Sequence, residues 1–533
     1  MTPPAPASGS QAPPASRPRR RLREALFAAI PTLVLLGGLA LGFVGEPEND
    51  PALNASPLWG PGDPFYAADP RRRKNLADPV LIWRGRPNDA GTWRYVEADA
   101  TNLYETNAYG FRDDPVAVPK PPGTTRVLAV GDSATWGLNL PARADSYPDQ
   151  LERLLGARFD VVNAGVVGYS SFQGARLVEQ WAAELEPDVV TVYLGNNDPS
   201  PSGTKDAARA AAGAGALHRW LRYNRFYLLA LRGLLALRAT RADADRARLV
   251  ATLADPEAEA QRDVASYYRL LARVPPDAYE ENLRRIVRAS RAAGARPILL
   301  AVPTNLGWPP KVRPFASEVL PADGFWSAVK VEGGYLGRVH RARPACVASP
   351  AWAGHPYLCL VTPADLARAA LPGVAALEAR ARDATAPARE RVRHAHNGAV
   401  RRLAEGDAAA AEAGLAAALA QADACTCVAP AQRAWMLYNL GAARLAAGRR
   451  GPALEALHGA RAAWPFASGP DYEARLRRVA EEERVERIDL PALFAAADPA
   501  FAGSALLHDW VHPNREGNAV IARALAARLR PDP

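Results

Sequence analysis

Short apolar runs bounded by turn residues alternate with helical periods along much of this chain. Arg126-Val-Leu-Ala-Val130 is such a run, closed by Gly131, and similar runs recur at Phe159–Asn163, Val189–Leu194 and Pro297–Val302. Runs of that length, apolar on both sides, are what a buried parallel strand needs. Helical patterns separate them at 146–156, 172–186 and 277–294. A last strand is predicted at Val485–Leu490 and a terminal helix at about 515–530. Strands alternating with helices imply βαβ units and a parallel sheet covered on both faces.

Two long stretches interrupt the alternation, a mostly helical one at 199–275 and a larger insertion at 312–470. Within the first, residues 218–240 are rich in Leu and aromatics but broken by Arg222, Arg225, Arg232 and Arg238. That pattern predicts an amphipathic helix packing on a core, with a membrane surface as the alternative. In the second, Leu440, Gly441, Gly448, Ala453, Leu457, Ala460 and Pro465 fall at the helix-packing positions of a tetratricopeptide repeat. Gly406, Ala411, Leu415 and Ala418 form a weaker preceding copy, so tetratricopeptide-like helices are expected over about 388–467, able to bind a protein partner. An Ala-rich bundle without a binding role is the other reading.

The N-terminal region is of a different kind. Residues 1–24 form a Pro- and Arg-rich tail that cannot bury a core, ending in Arg17, Arg19, Arg20, Arg21 and Arg23. Ala25 to Gly45 follows without a charge. As a helix it would span roughly 30 Å, the thickness of a bilayer's hydrocarbon core. Arginines before it and Glu46, Glu48 and Asp50 after it put the N-terminus in the cytoplasm and the rest across the membrane, periplasmic or at the cell surface. A cleaved signal peptide is the alternative, with a weak cleavage site at Gly38-Leu39-Ala40. Residues 46–105, rich in Pro, Asp, Gly and Trp with little periodicity, are expected to be an irregular stalk packed on the domain. The remaining divisions are a core in two parts, 106–311 and 471–533, around the 312–470 insertion.

Composition narrows the class. The 533 residues are 49% hydrophobic and 23% charged, which excludes a disordered chain, a fibrous repeat and a polytopic membrane protein. The net charge of +9 comes almost wholly from arginine, with no basic stripe interleaved with aromatics, so nucleic acid is not an expected partner. Cys346, Cys359, Cys425 and Cys427 suggest one or two disulfides in an oxidising compartment. Their spacing matches no common structural-zinc pattern, and Cys425 and Cys427 are too close in sequence for an unstrained bridge with each other.

Four segments far apart in sequence can supply one site. GDSATWG puts Ser133 just after the first core strand, where ligands gather on a parallel sheet. His508-Asp509-Trp510-Val511-His512-Pro513 offers an imidazole, His512, with a carboxylate three residues earlier to fix its tautomer. Asn163-Ala-Gly-Val-Val-Gly168 and Gly195-Asn196-Asn197-Asp198 follow the second and third strands. A glycine N–H, an Asn amide and the N–H of Ser133 would make a three-donor oxyanion hole.

At this point the chain resembles the SGNH/GDSL hydrolase family, whose four blocks are matched by GDSATWG, NAGVVGYSS, LGNND and DWVHPN. Asn107-Ala-Tyr-Gly-Phe-Arg112 is also similar to a segment of membrane-anchored members. The resemblance implies a flavodoxin-like three-layer α/β/α sandwich, with no metal and no organic cofactor. It implies Ser133 as nucleophile, Ser133, Gly168 and Asn197 as oxyanion donors, His512 as base and Asp509 as its orienter. The G-x-S-x-G elbow of α/β-hydrolases is absent. The activity expected is a membrane-anchored serine esterase acting on a small-molecule or glycan ester, such as an acetyl ester of a cell-envelope carbohydrate. A polysaccharide O-acetyltransferase using the same residues is the alternative, and a non-catalytic scaffold a second.

Overall fold

The computed structural model describes residues 75–307 and 373–530, apart from 96–99, 201–204, 214, 232–233, 235–271, 429, 464–468 and 500–502. The apolar segment 25–45 therefore lies outside the described residues, as do Cys346, Cys359 and Pro465. Among the described residues no helix is long and apolar enough to cross a membrane.

Among the described residues five parallel strands form the central sheet: β5 (Thr125–Gly131), β6 (Phe159–Gly165), β7 (Val189–Tyr193), β8 (Arg296–Leu300) and β9 (Glu486–Ile488). Their order is β6-β5-β7-β8-β9. The first core strand is thus flanked by the second and third, the doubly-wound 2-1-3-4-5 order, which opens a crevice beyond the carboxyl ends of β5 and β7. Register places Gly131 beside both Gly165 and Tyr193.

Alternation along each strand serves two cores. Leu128, Val130, Val162, Ala164, Val190, Val192 and Leu299 turn to one face and pack under α3 (Ser171–Leu185), α6 (Pro276–Ala292) and α12 (Pro470–Glu482). Val127, Ala129, Val161, Val189, Ile298, Leu300 and Ile488 turn to the other, under α2 (Tyr147–Leu155), α13 (Leu490–Ala497) and α14 (Arg515–Leu529). Each fully buried Val or Leu contributes about 1.5–3 kcal/mol, which is why both faces must be covered. The result is the expected three-layer α/β/α arrangement.

The segment before the core corrects the expectation of an irregular stalk. It holds two antiparallel hairpins, β1 (Asn75–Asp78) with β2 (Ile82–Gly85) and β3 (Ala90–Tyr95) with β4 (Ala100–Glu105). The strands are too short to show a period. Ile82 at φ 67°, at the turn between β1 and β2, and Asn88 at φ 50°, in the link from the first hairpin to the second, take the left-handed backbone that glycine usually marks. Leu81 and Ile82 are fully buried in the first core; residues 46–74 lie outside the described residues.

In the second insertion, α8 (Ala388–Ala404) and α9 (Ala408–Cys425) form one helix hairpin, and α10 (Pro430–Ala446) and α11 (Arg450–Ala463) another. Gly406 (φ 93°) and Gly448 (φ 75°) make the two turns. Ala411, Leu415, Ala418, Leu440, Ala453, Leu457 and Ala460 are buried. Cys425 and Cys427 are bonded to each other, against the sequence expectation. Helix α9 ends at Cys425, and Thr426 takes left-handed backbone (φ 49°), which folds the chain back and leaves the two Cα atoms 5.1 Å apart, inside the usual disulfide range.

Candidate active site

Ser133 opens α1 (Ser133–Trp136), a single turn directly after β5. A Cβ at Gly131 would lie 1.9 Å from Thr135 Oγ1, so the strand can bend into this turn only with glycine there. Asp132 caps the turn by accepting from Ala134 N at 2.8 Å. At its other end Arg112, fully buried, donates to the carbonyls of Trp136 (3.1 Å) and Gly137 (3.0 Å), with its guanidinium 4.3 Å over the Trp136 ring. The Asn107–Arg112 segment noted in the sequence thus clamps the carboxyl end of the helix that carries Ser133.

His512 comes from the other end of the chain. Leu507 and Pro513 pair across the loop, and His508 N donates to His512 O at 2.7 Å, folding 508–512 into a tight turn. Asp509 Oδ1 accepts from the backbone N–H of Val511 (3.0 Å) and His512 (2.9 Å), and Asp509 Oδ2 lies 2.6 Å from His512 Nδ1. His512 Nε2 lies 2.7 Å from Ser133 Oγ. With Nδ1–H donated to the carboxylate, the geometry assigns Nε2 as acceptor of the serine proton. Ser133, Asp509 and His512 are all buried. Burial by itself would raise the Asp509 pKa; the His512 charge and hydrogen bond and the two backbone N–H groups outweigh it and hold it at about 2. Asp509 is thus a carboxylate throughout the pH range of ester chemistry.

The three expected anion donors sit on adjacent strand ends. Gly168 follows β6 with φ 81°, a left-handed conformation that suits glycine. Its N–H has no hydrogen-bond partner among the described residues. Asn197 follows β7, but both N–H groups of its amide are engaged, with Tyr169 O at 3.0 Å and Asp132 Oδ2 at 3.3 Å. An incoming oxyanion must draw Asn197 from the longer of these bonds.

Sequence reasoning passed over a supporting layer. Asp132 Oδ2 also accepts from Asn196 Nδ2 at 2.9 Å, so one carboxylate joins the serine turn to the β7 loop. An Asp directly before a strand-to-helix turn is the available signal, since that is a preferred cap residue. Asn139 donates to Asp509 Oδ2 at 3.3 Å and is itself held by Asn102 of β4 at 2.8 Å; Asn305 Nδ2 donates to Asp509 O at 3.0 Å. Trp83 of β2 donates its indole N–H to Val167 O at 3.2 Å, while its own carbonyl accepts from Tyr169 OH at 2.7 Å. These contacts join residues tens to hundreds of positions apart and leave no local pattern.

Burial pushes the Asp132 pKa up to about 6, against the Ala134 N–H, His512 and Asn196. Its folded pKa thus exceeds the unfolded value of about 3.9. The folded chain holds this proton more tightly, so the stability it contributes is complete below about pH 4 and is lost as pH rises toward 6. Asp198 and Asp113, raised to about 7 by burial, extend the same downward slope. Asp132→Asn would set an amide against Ala134 N–H or the two Asn amides. It is expected to cost about 2–3 kcal/mol and to flatten the fall in stability between pH 4 and 6, as read by urea unfolding at several pH values.

A small cleft lies one strand over, lined by Gly195, Tyr279, Val302 and Tyr472 among others. None of Ser133, Asp509 and His512 lines it, so the chemistry is assigned to the strand-end crevice and not to this cleft. Among the described residues no group of three His, Cys, Asp or Glu side chains could hold a metal ion.

Residues 129–322 match the family described as GDSL-like lipase/acylhydrolase. The match stops short of Asp509 and His512, which only the fold brings to Ser133. No curated protein matches the chain. Among solved structures, a crystal structure of TesA is 20% identical over 34% of this chain and 62% of that one, with a TM-score of 0.19. The match spans less than two thirds of TesA, and so weak a likeness carries no argument here. The family match thus gives residues 129–322 a GDSL-like lipase/acylhydrolase domain, that of a family of ester-bond hydrolases, and three of the four blocks read from the sequence follow its strands β5, β6 and β7.

Proposed function

We propose that this chain is a membrane-anchored serine esterase whose domain works outside the cytoplasm on an acetyl ester of a cell-envelope carbohydrate. The observation that carries the reading is the unbroken hydrogen-bonded line Ser133 Oγ–His512 Nε2–His512 Nδ1–Asp509 Oδ2, at 2.7 and 2.6 Å. Ser133 Oγ attacks the ester carbonyl as its proton passes to His512 Nε2, and Asp509 stabilises the imidazolium. The resulting oxyanion takes hydrogen bonds from the N–H groups of Ser133 and Gly168 and from the Asn197 amide. Collapse breaks the C–O bond, and His512 returns the proton to the departing alkoxide. Water, deprotonated by His512, then attacks the acyl-serine, and acetate and free Ser133 are restored. A sugar hydroxyl in place of that water would make the same cycle an O-acetyltransfer, the alternative expected from sequence. The anchor is residues 25–45, and the helix hairpins at 388–463 are proposed as a platform for a protein partner.

Acetate release from acetylated glycans by the full chain tests the reading. It should exceed acetyl transfer to added sugar and vanish in Ser133→Ala; dominant transfer would favour the acyltransferase.

Trp83 enters through the oxyanion donors. In a planar trans peptide the C=O and N–H point opposite ways. The bond from Trp83 to Val167 O therefore sets the direction of the Gly168 N–H. Trp83→Phe keeps the ring and removes the indole N–H. It is expected to lower kcat about tenfold, with KM and melting temperature little changed, whereas Asn197→Ala should cost about 10²–10³-fold. A Trp83→Phe enzyme with wild-type kcat would show that the bond does not serve the donor.

A further inference from the structure

Helix α5 (Ala216–Leu221) and the helical residues 225–231 that follow carry an outward face of unusual composition. Leu217, Trp220, Tyr223, Phe226 and Leu229 recur every third position and are 68, 60, 38, 56 and 65% exposed. Arg219 and Arg225 are exposed among them. The sequence expectation that this stretch packs on a core holds only for its inward face, where His218, Arg222, Asn224 and Leu228 are buried.

The face is rigidly held. Asn224 Oδ1 accepts from Phe226 N (3.0 Å) and Tyr227 N (3.1 Å), starting the second helical segment. His218 Nδ1 lies 2.9 Å from Tyr227 OH, linking the two segments, and Arg222 Nη2 donates to Ala77 O of β1 at 2.5 Å. The patch is therefore fixed to the first strand of the domain. That strand begins at Asn75, and only residues 46–74 separate it from the apolar segment ending at Gly45.

We propose that this face lies in the interface of the bilayer that holds residues 25–45, and so sets the catalytic domain's orientation on the membrane; the inference rests on the anchor reading above. Trp, Tyr and Phe with interleaved Arg is the composition suited to the headgroup level, where rings sink to the acyl boundary and guanidinium groups meet lipid phosphates. A second copy fits less well, since a two-fold contact would bring Arg219 and Arg225 of both copies into one seam to which residues 215–231 contribute no acidic side chain. Exposed apolar area of this kind on a folded domain otherwise costs solubility.

The test uses the full chain in anionic lipid vesicles, with Cys346→Ser and Cys359→Ser to leave one reactive thiol. A bimane label is placed at Leu229→Cys, at Phe226→Cys, or as a control at Leu154→Cys, which is exposed on α2. Labels at 226 and 229 should lose most of their emission to lipids carrying a doxyl quencher near the headgroup, while the label at 154 keeps it. Equal emission at all three positions would overturn the proposal. So would labels at 226 and 229 that are shielded from water yet indifferent to the quencher, because that pattern means a protein surface covers the face. Flotation with the vesicles after an alkaline wash reports the anchor separately. Quenching without wash-resistant flotation would uphold this face and overturn the anchor; wash-resistant flotation without quenching would do the reverse.

Discussion

Replacing His512 with alanine is expected to lower kcat by about four to six orders of magnitude and to leave the fold intact. His512 Nε2 is the group placed to take the Ser133 proton, at 2.7 Å. Without it the hydroxyl must attack undissociated, and Ser133→Ala should fall to the same residual rate. The two losses are not expected to add, because the pair acts as one unit. Stability should change little, because the 508–512 turn keeps its backbone bonds. Those run from His508 N to His512 O and from Val511 and His512 N–H to Asp509 Oδ1. A melting temperature within a few degrees of wild type would separate lost chemistry from lost fold.

Asp509→Asn is the second large effect, about 10⁴-fold in kcat. An amide nitrogen facing His512 Nδ1 forces that nitrogen to accept, which moves the ring proton to Nε2, where it faces Ser133 Oγ with nothing to receive. The wild-type carboxylate, held at about 2, has a folded pKa below its unfolded value. The stability it adds is therefore present above about pH 4 and is lost as pH falls toward 2. Over pH 5–9 its charge is constant, so the acid limb of kcat/KM belongs to another group. The loss in Asp509→Asn should accordingly persist across that whole range. Recovery of wild-type rate anywhere within it would remove Asp509 from the mechanism.

Much of the core was legible in the sequence because it is local. The runs at 126–130, 159–163 and 189–194 became β5, β6 and β7 within two residues, and helices predicted at 172–186 and 277–294 became α3 and α6. A continuous apolar run with helical periods on both sides admits few arrangements, and Ser133, Gly168 and Asn197 were readable as the residues following such runs. The hairpins at 75–105 escaped because their strands are four to six residues long. The first hairpin's turn and the link between the hairpins rest on Ile82 and Asn88, where no glycine stands. The Cys425–Cys427 bond escaped for a related reason: spacing alone does not reveal that Thr426 turns left-handed. Trp83, Asn139 and the part that Arg112 plays at the serine turn escaped because each acts on a partner brought near only by the fold. In Asn139 and Asp509 that partner is 370 positions away.

The helical stretch at 216–231 shows how amphipathicity can be read correctly and its outer face misjudged. The inward positions His218, Arg222 and Asn224 are polar yet buried, each with a hydrogen bond, while the large apolar side chains face out. Periodicity marks a helix with two unlike faces, and it is burial that says which of them meets protein.

The central claim is that Ser133 is an activated nucleophile, and a fluorophosphonate probe reads this directly. The full chain would be treated with the probe in detergent, digested, and mapped by peptide mass. One adduct at Ser133, absent in Ser133→Ala and strongly slowed in His512→Ala, is the predicted result. A folded sample that takes no label, or takes it on another serine, or labels at the same rate without His512, would contradict the account.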